Sequence, residues 1–518
     1  MSQEYRTDIE YMAAYNAAQT PARINYVAAL NNIPSPSLSN GYRYCDLGCG
    51  AGATVLVLAA AMPEAEFWGI DLNPSHIRMA QARAEKLGLT NAHFVEANIS
   101  SLAERPDLRD FDCIAINGLF SWLTAERRGQ AMDFLRDALK PGGFAYIHYM
   151  TDPGNIVQEP ICRLIRRFYE GTAGDVEQRV VLTKQFLKGF AETQQQYLTA
   201  FPTSKAFIEM VLKCSPEVFL HDFLAEERHA FYFEDMYREM SSRGFGYVGC
   251  ADFMMNHLQL CVQPEAQRLF QGVKDRDEIE QIKDFAMVAP GRKDIYIRSP
   301  VSATGGQDYF LEQSFAVVAL KDLDKGVQFP GCVVPTNTSP YVELQKILST
   351  KAMSWAEISQ LPELAAYSQI DLRRAIQHLV AASKVEPCAI PTPEEGASVT
   401  DGNRIILEQA VLHGSPASQP VVVLSSPVLA GGLNLSWYDA TMALGLLQQP
   451  KNGLINWVLD IFKPRNLAFK CEGVPTQGPE STRKYLMQQL PGIHTSLQAL
   501  FVRFGIGQLP DLPANWQR

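Results

Sequence analysis

The chain of 518 residues carries 46 Lys+Arg against 56 Asp+Glu, a formal net charge of −10, with 47% hydrophobic and 20% charged residues, a balance that folds and does not stay disordered. At roughly 150 residues per domain the length predicts about three domains, each large enough to bury its own core. The acidity argues against a chain-wide nucleic-acid surface, and the longest apolar run, Val55 to Met62, is less than half of the ~20 residues that cross a bilayer.

The opening MSQEYRTDIEYMAAYNAAQT lacks a basic or apolar leader region, so a cytoplasmic protein without membrane insertion is expected. From Tyr42 to Tyr149 the runs YRYCDL, AEFWGID, AHFVEA, FDCIAI and GGFAYIHY alternate with amphipathic stretches. That is the rhythm of βαβ units and predicts a parallel sheet. After Asp71 a helix is well punctuated: Asn73 suits the cap, Pro74 the first turn, and Ile77, Ala80, Ala84 and Leu87 fall on one face. Lys140-Pro141-Gly142-Gly143 ends the next helix and turns the chain into a fifth strand. These elements make up a first domain, residues 1–155.

Residues 156–242 read as helices rich in Phe, Tyr, Gln and charge. Strand character returns in GFGYVGCADF (Gly244 to Phe253) and KDIYIRS (Lys293 to Ser299), so 243–300 is expected to complete the first sheet around a helical insertion; a separate αβ domain has the same pattern. Residues 301–340 are taken as a linker region, ending in the Pro/Gly/Asn/Thr-rich stretch from Phe329 to Pro340. Three short helices and a turn in 341–395 suggest a winged-helix-like module. Arg373, Arg374 and Lys384 are too few for a phosphate stripe, so nucleic acid is not an expected partner. Residues 396–518 form a C-terminal domain, in which Ala410 to Tyr438 holds no charged residue and reads as buried strands and turns. The ten cysteines show neither CxxC pairing nor a zinc-like His spacing, and are read as reduced thiols with no metal site.

The sharpest chemical signal is Asp46-Leu47-Gly48-Cys49-Gly50-Ala51-Gly52, at the end of the first strand and entering a helix through Ala53-Thr54-Val55. Glycines there allow a tight turn and close approach of a ligand, and the helix start offers unpaired N–H groups. Asp71 ends the second strand, where a carboxylate accepts both hydroxyl protons of a ribose. Together they describe an adenosyl ribonucleoside site. Gly48-x-Gly50-x-x-Ala53 alone also satisfies the relaxed dinucleotide fingerprint, so NAD is a competing reading. Against it stand Asp46 before the first glycine, suited to a ligand's ammonium, the NGLFSW and LKPGG segments, and the lack of a second mononucleotide half.

The first 155 residues resemble a class I S-adenosylmethionine-dependent methyltransferase, whose first motif is D/E-x-G-x-G-x-G with an acid ending strand two. FDCIAINGLFSW followed by LKPGGFAYIHYMTDPG resembles a bacterial subgroup that couples this domain to a methyltransferase regulatory domain, and Ser215 to Phe253 is similar to that segment in its His-Asp-Phe-Leu and Phe-Tyr-Phe cadence. Rickettsial lysine methyltransferases of outer-membrane proteins belong to this subgroup. The resemblance covers Tyr42 to Ser299 well and the last 200 residues only in layout. It implies an α/β fold: a Rossmann-like class I methyltransferase sheet with a helical insertion, plus C-terminal α+β domains. It also implies S-adenosyl-L-methionine as cofactor, held by Asp46, Gly48, Gly50, Gly52 and Asp71, with Leu72, Ala97, Asn98 and Asn117 beside them. Asn98 stands where many relatives keep an Asp near the adenine amine, Asn117 where close relatives often have His, and Met150 where an Asn is expected.

A sulfonium methyl is already electrophilic, so the protein chiefly holds a nucleophile in line. For a lysine amine, desolvation in an aromatic channel favours the neutral form, and Phe120, Trp122 and Tyr149 are candidate walls, although aromatics after strand ends are more commonly core. Trp122, Tyr149 and Asp152 are the candidate catalytic set, Asp152 orienting the amine, though turn capping explains an Asp there equally well. His148 and His221 read first as structural histidines and second as general bases. The expected activity is N-methylation of a protein's lysines. The C-terminal modules are assigned to substrate recognition or self-association, a homodimer included. The alternatives are a small-molecule or glycan methyltransferase and an inactive cofactor-binding scaffold.

Overall fold

The computed structural model describes residues 14–38, 41–193, 196–300, 307–318, 326–389, 399–467, 470–471, 474–475, 478–514 and 516. A short strap, residues 14–20, leads into α1 (Pro21–Leu30), and the chain then alternates β1 (Arg43–Leu47), α2 (Ala53–Ala61), β2 (Glu66–Asp71), α3 (Pro74–Lys86), β3 (Ala92–Glu96), β4 (Phe111–Ile116), α4 (Ala125–Ala138) and β5 (Leu139–Thr151). The α3 signals act as read: Asn73 Oδ1 accepts the Ser75 N–H at 2.9 Å, Pro74 opens the helix, and Ile77, Ala80 and Ala84 are buried.

The helical insertion contains α5 (Gln158–Gly171), α6 (Val176–Glu192), α7 (Gln196–Ala200) and α8 (Thr203–Lys213), packed around their own core of Ile161, Ile165, Phe207, Ile208 and Phe219. The chain returns through β6 (Ala230–Phe231), which pairs with the end of β5, and then β7 (Phe245–Cys250) and β8 (Gly291–Arg298). The strand order is β3-β2-β1-β4-β5-β8-β7. β1 to β5 run parallel, as βαβ crossovers require, whereas β8 is antiparallel to both β5 and β7. Alternation along β5 sends Phe144 and Tyr146 into the core shared with α1, α2 and α3, and Ala145, Ile147 and Tyr149 into the core with α4 and the helix Phe233–Ser241.

Beyond this sheet, β9 (Ser314–Val317) is fully buried and is the centre of a second sheet. A hairpin, β10 (Val327–Gln328) and β11 (Val333–Val334), follows. β12 (Met353–Ser354) and β13 (Val385–Cys388) flank β9, with helices at Tyr341–Leu348, Trp355–Ile358 and Gln369–Ala381. Part of the stretch expected to link domains therefore supplies the middle strand of the next module. Local pattern hid this, because a four-residue strand without flanking periodicity looks like loop. The remainder of that stretch, 301–306 and 319–325, and the joint 390–398 between the last two expected domains lie outside the described residues. Arg373 is held by Asp308 at 2.7 and 3.1 Å and lies over the Phe310 ring, and Arg374 by Asp371 at 3.4 Å. Both cations of that helix are thus turned to carboxylates of their own chain.

The C-terminal region contributes a hairpin, β14 (Val421–Ser426) and β15 (Gly431–Ser436), and the helices Trp437–Gln448, Leu454–Phe462 and 478–503. Their core includes Leu424, Trp437, Val458 and Phe501. The hairpin also packs against α2 of the first domain. Among the described residues no helix is long and apolar enough to cross a membrane.

Candidate active site

The loop from Asp46 to Gly52 leaves β1 at its carboxyl end, and its three glycines have φ of 86°, 53° and 74°, a region that side chains enter at a cost of about 1–2 kcal/mol. Their surroundings distinguish them. A Cβ on Gly48 would meet Leu119 at 2.9 Å, and one on Gly52 would meet Phe94 at 2.5 Å and Ala80 at 2.9 Å. Both are packing glycines as well as turn glycines. A Cβ on Gly50 would meet nothing within 4 Å among the described residues.

Asp71 holds the loop in place. Its Oδ2 accepts the Gly50 N–H at 2.9 Å and its Oδ1 the Asn73 N–H at 2.8 Å, with His76 Nδ1 at 3.3 Å from Oδ1. A carboxylate has about four acceptor sites, so capacity for ribose hydroxyls remains. Leu72 beside it is 43% exposed, and the Ala97 N–H donates to the Asp71 carbonyl at 3.1 Å. Asp46 is buried, and burial pushes its carboxyl up to about 7, against a hydrogen bond from Gln19 Nε2 at 3.0 Å.

Asn98 lies two residues after the end of β3. Its Oδ1 caps the turn Ile99–Glu104 by accepting from the Ser100 N–H and hydroxyl, both at 3.2 Å, and also accepts from Arg127. The carbonyl is therefore engaged within the chain. Asn117 Oδ1 accepts from Asn16 Nδ2 at 2.6 Å and from the Tyr146 hydroxyl at 3.3 Å.

Phe120, Tyr149 and Asp152 gather around β6: both rings lie against Phe231, whose carbonyl accepts the Asp152 N–H at 3.1 Å. Trp122 is half-buried after β4. Phe120 is fully buried, its ring against Phe231. Tyr149 is 1% exposed and donates to Asp294 Oδ2 at 2.5 Å, inside a buried network in which Arg292 binds Asp294, Asp284 and Glu280, and Lys283 binds Glu280. Phe120 and Tyr149 thus lie in core and do not face an open channel: strand alternation turns Tyr149 toward α4. Asp152 is half-buried, its carboxyl raised by burial with Arg228 opposing. Arg228 reaches Glu159, Asn155 and Gln158. His148 lies on the opposite face of β5 from Tyr149; burial and Lys293 push it down to about 4, leaving it neutral near pH 7, and its buried Nδ1 has no hydrogen-bond partner among the described residues. His221 has partners within the chain.

Sequence reasoning missed Asn16, Gln19 and Arg228. The first two come from the strap, where Asn16 caps a turn and Thr20-Pro21 starts α1. That local punctuation was readable, but the contact from Gln19 to Asp46 joins segments that share no pattern.

Two buried acceptor atoms here meet no donor among the described residues, Asp46 Oδ1 and Gln19 Oε1. Such acceptors and a carboxylate with spare lone pairs fit a group carrying an ammonium and vicinal hydroxyls. The fold and this loop define a Rossmann-like methyltransferase domain. Residues 38–197 match the family described as a methyltransferase domain, and residues 215–298 the family described as a predicted methyltransferase regulatory domain. The chain is an S-adenosylmethionine-dependent methyltransferase with that regulatory domain attached. It is 25% identical over 449 residues to an uncharacterized protein of Synechocystis, covering 85% of this chain and 87% of that one. An uncharacterized protein of Rickettsia prowazekii is 25% identical over 280 residues, 54% of this chain and 50% of its own. In fold the chain is similar to PKMT2 from Rickettsia typhi, with a TM-score of 0.69 at 15% identity over 95% of this chain and 99% of that one; PKMT2 has also been solved in complex with AdoHcy.

Proposed function

We propose that this methyltransferase N-methylates lysine side chains of a protein acceptor in the cytoplasm. The observation that carries the reading is the regulatory-type domain at 215–298 joined to the methyltransferase domain, in a chain that shares its fold along almost its whole length with PKMT2. The resemblance of Ser215 to Phe253 to the lysine-methylating subgroup supports the same acceptor.

In this reading Asp46 meets the donor's ammonium, the Gly50 turn leaves room for its backbone approach, and Asp71 takes the ribose hydroxyls, flanked by Leu72 and Ala97. When bound, S-adenosylmethionine supplies an electrophilic sulfonium methyl. The chain's own task is to hold the acceptor in line and neutral. A lysine ammonium, with an ordinary pKa of about 10.4, sheds its proton more readily when desolvated. Trp122 supplies apolar surface on that side, and Asp152, at the carboxyl edge of β5, accepts a hydrogen bond from the amine and orients it.

The test is transfer of a labelled methyl from S-adenosylmethionine into a bacterial extract by the purified full chain. Label recovered as methyllysine after hydrolysis of the protein fraction is the expected result. Label in small molecules or glycans overturns the acceptor, and donor binding without transfer overturns the activity.

A further inference from the structure

The strap before α1 connects two distant parts of the molecule. On one side Gln19, 1% exposed, donates from Nε2 to Asp46, while its Oε1 and the Oδ1 of Asp46 meet no donor among the described residues. Asn16 extends the contact, its N–H donating to Thr54 Oγ1 at 3.1 Å on α2 and its amide to Asn117. On the other side Tyr15 shares a hydrogen bond with Thr20 Oγ1 at 2.9 Å, and its hydroxyl accepts the Gly432 N–H of β15 at 2.8 Å. The hairpin has room for the strap only because two glycines meet it. A Cβ on Gly431 would lie 2.7 Å from Thr20 Cγ2 and 2.8 Å from the Tyr15 oxygen, and one on Gly432 would lie 2.8 Å from Tyr15 Cε1. Arg23, on the first turn of α1, pairs with Glu386 of β13.

Two buried acceptor oxygens that meet no donor among the described residues are a desolvation cost that a ligand would relieve. A carbonyl and a carboxylate oxygen on two side chains joined by the Gln19–Asp46 hydrogen bond suit a group with several N–H donors and positive charge, which on an S-adenosyl ligand is the aminoacyl ammonium. We propose that the strap is part of the donor site: Gln19 completes, with Asp46, the acceptor pair for that ammonium, and the C-terminal hairpin holds the strap in place through Gly431 and Gly432. This rests on the methyltransferase reading and gives the last third of the chain a role in donor binding.

Calorimetry separates the two. S-adenosylhomocysteine carries the aminoacyl arm, whereas methylthioadenosine keeps the nucleoside and the thioether without it. Gln19→Leu weakens S-adenosylhomocysteine by about tenfold, the effect of losing one charge-assisted hydrogen bond, and leaves methylthioadenosine unchanged. Gly431→Ala, a change in the C-terminal region alone, weakens the same ligand in the same selective way by crowding Thr20 and Tyr15. Equal weakening of both ligands, or no change in either, overturns the proposal. A wild-type chain that binds neither ligand overturns the methyltransferase reading itself, a distinct result.

Discussion

Replacing Asp46 by Asn tests whether the site carries a standing electrostatic cost that the donor relieves. The folded carboxyl titrates at about 7 because it is buried, above the ordinary value of about 3.9. The folded state therefore binds its proton more tightly than the unfolded chain, and the Asp46 contribution to stability is complete below about pH 4 and is lost as pH rises through about 7. Over that range it amounts to on the order of 4 kcal/mol. Asp46→Asn, which cannot ionise, is expected to melt several degrees above wild type at pH 8 without ligand, the gap closing toward pH 4. Where Asp46 meets the donor's ammonium, as proposed, binding moves the opposite way, because that ammonium favours the ionised carboxylate. Wild-type affinity for S-adenosylhomocysteine should rise about tenfold from pH 6 to pH 7.5, while the variant binds weakly and without that slope. Thermal melts and calorimetry across the pH series read both. A variant less stable than wild type at pH 8, or a wild-type affinity flat with pH, refutes the reasoning.

The glycines of the loop should separate by role. Gly52→Ala, driven against Phe94 and Ala80, is expected to lose about 2–4 kcal/mol in urea melts from overpacking and strain. Gly50→Ala meets no atom of the described residues, so it loses only about 1–2 kcal/mol yet weakens donor binding disproportionately in the same calorimetry. Tyr149→Phe leaves Asp294 without one of its donors and is expected to lower stability by about 1–3 kcal/mol with KM for the acceptor unchanged, as suits a core residue. Arg292→Met strips the shared cation from Asp294, Asp284 and Glu280, and a loss of about 3–5 kcal/mol should appear as a lower melting temperature.

What was legible from sequence was what local chemistry enforces. The β1 to β5 rhythm, the Asn73-Pro74 start of α3, and the D-x-G-x-G-x-G loop facing Asp71 each follow from spacing within about 25 residues. The acceptor side was not legible for the same reason. Whether Tyr149 faces a channel or a core depends on which way β5 alternates against β8, a strand almost 150 residues later, and the charges of Arg292 and Asp294 drew the hydroxyl inward. Asn98 was legible from its position in the strand-three exit, but the bond it accepts from Arg127, arriving from α4, was not. Gln19 is the sharpest case, since its meaning depends entirely on being folded over Asp46.

The joining of the methyltransferase and regulatory domains has a physical reason in the sheet. The matched regulatory segment, 215–298, contains β7 and β8, and β8 pairs with β5 from Phe144 to Met150. Without it β5, the longest strand of the sheet, would be a bare edge open to other chains. The interface is also sealed by charge. Tyr149 on β5 donates to Asp294 on β8, and Arg292 gathers Asp294, Asp284 and Glu280 where none is exposed by more than 7%. A buried network of that kind tolerates no partial assembly, because any one member left alone carries the full desolvation penalty. The strand after the helical insertion is thereby fixed in register against the strand before it. The helices between them, tied to the turn after β5 by Arg228 through Asn155, Gln158 and Glu159, are held at the carboxyl edge of the sheet.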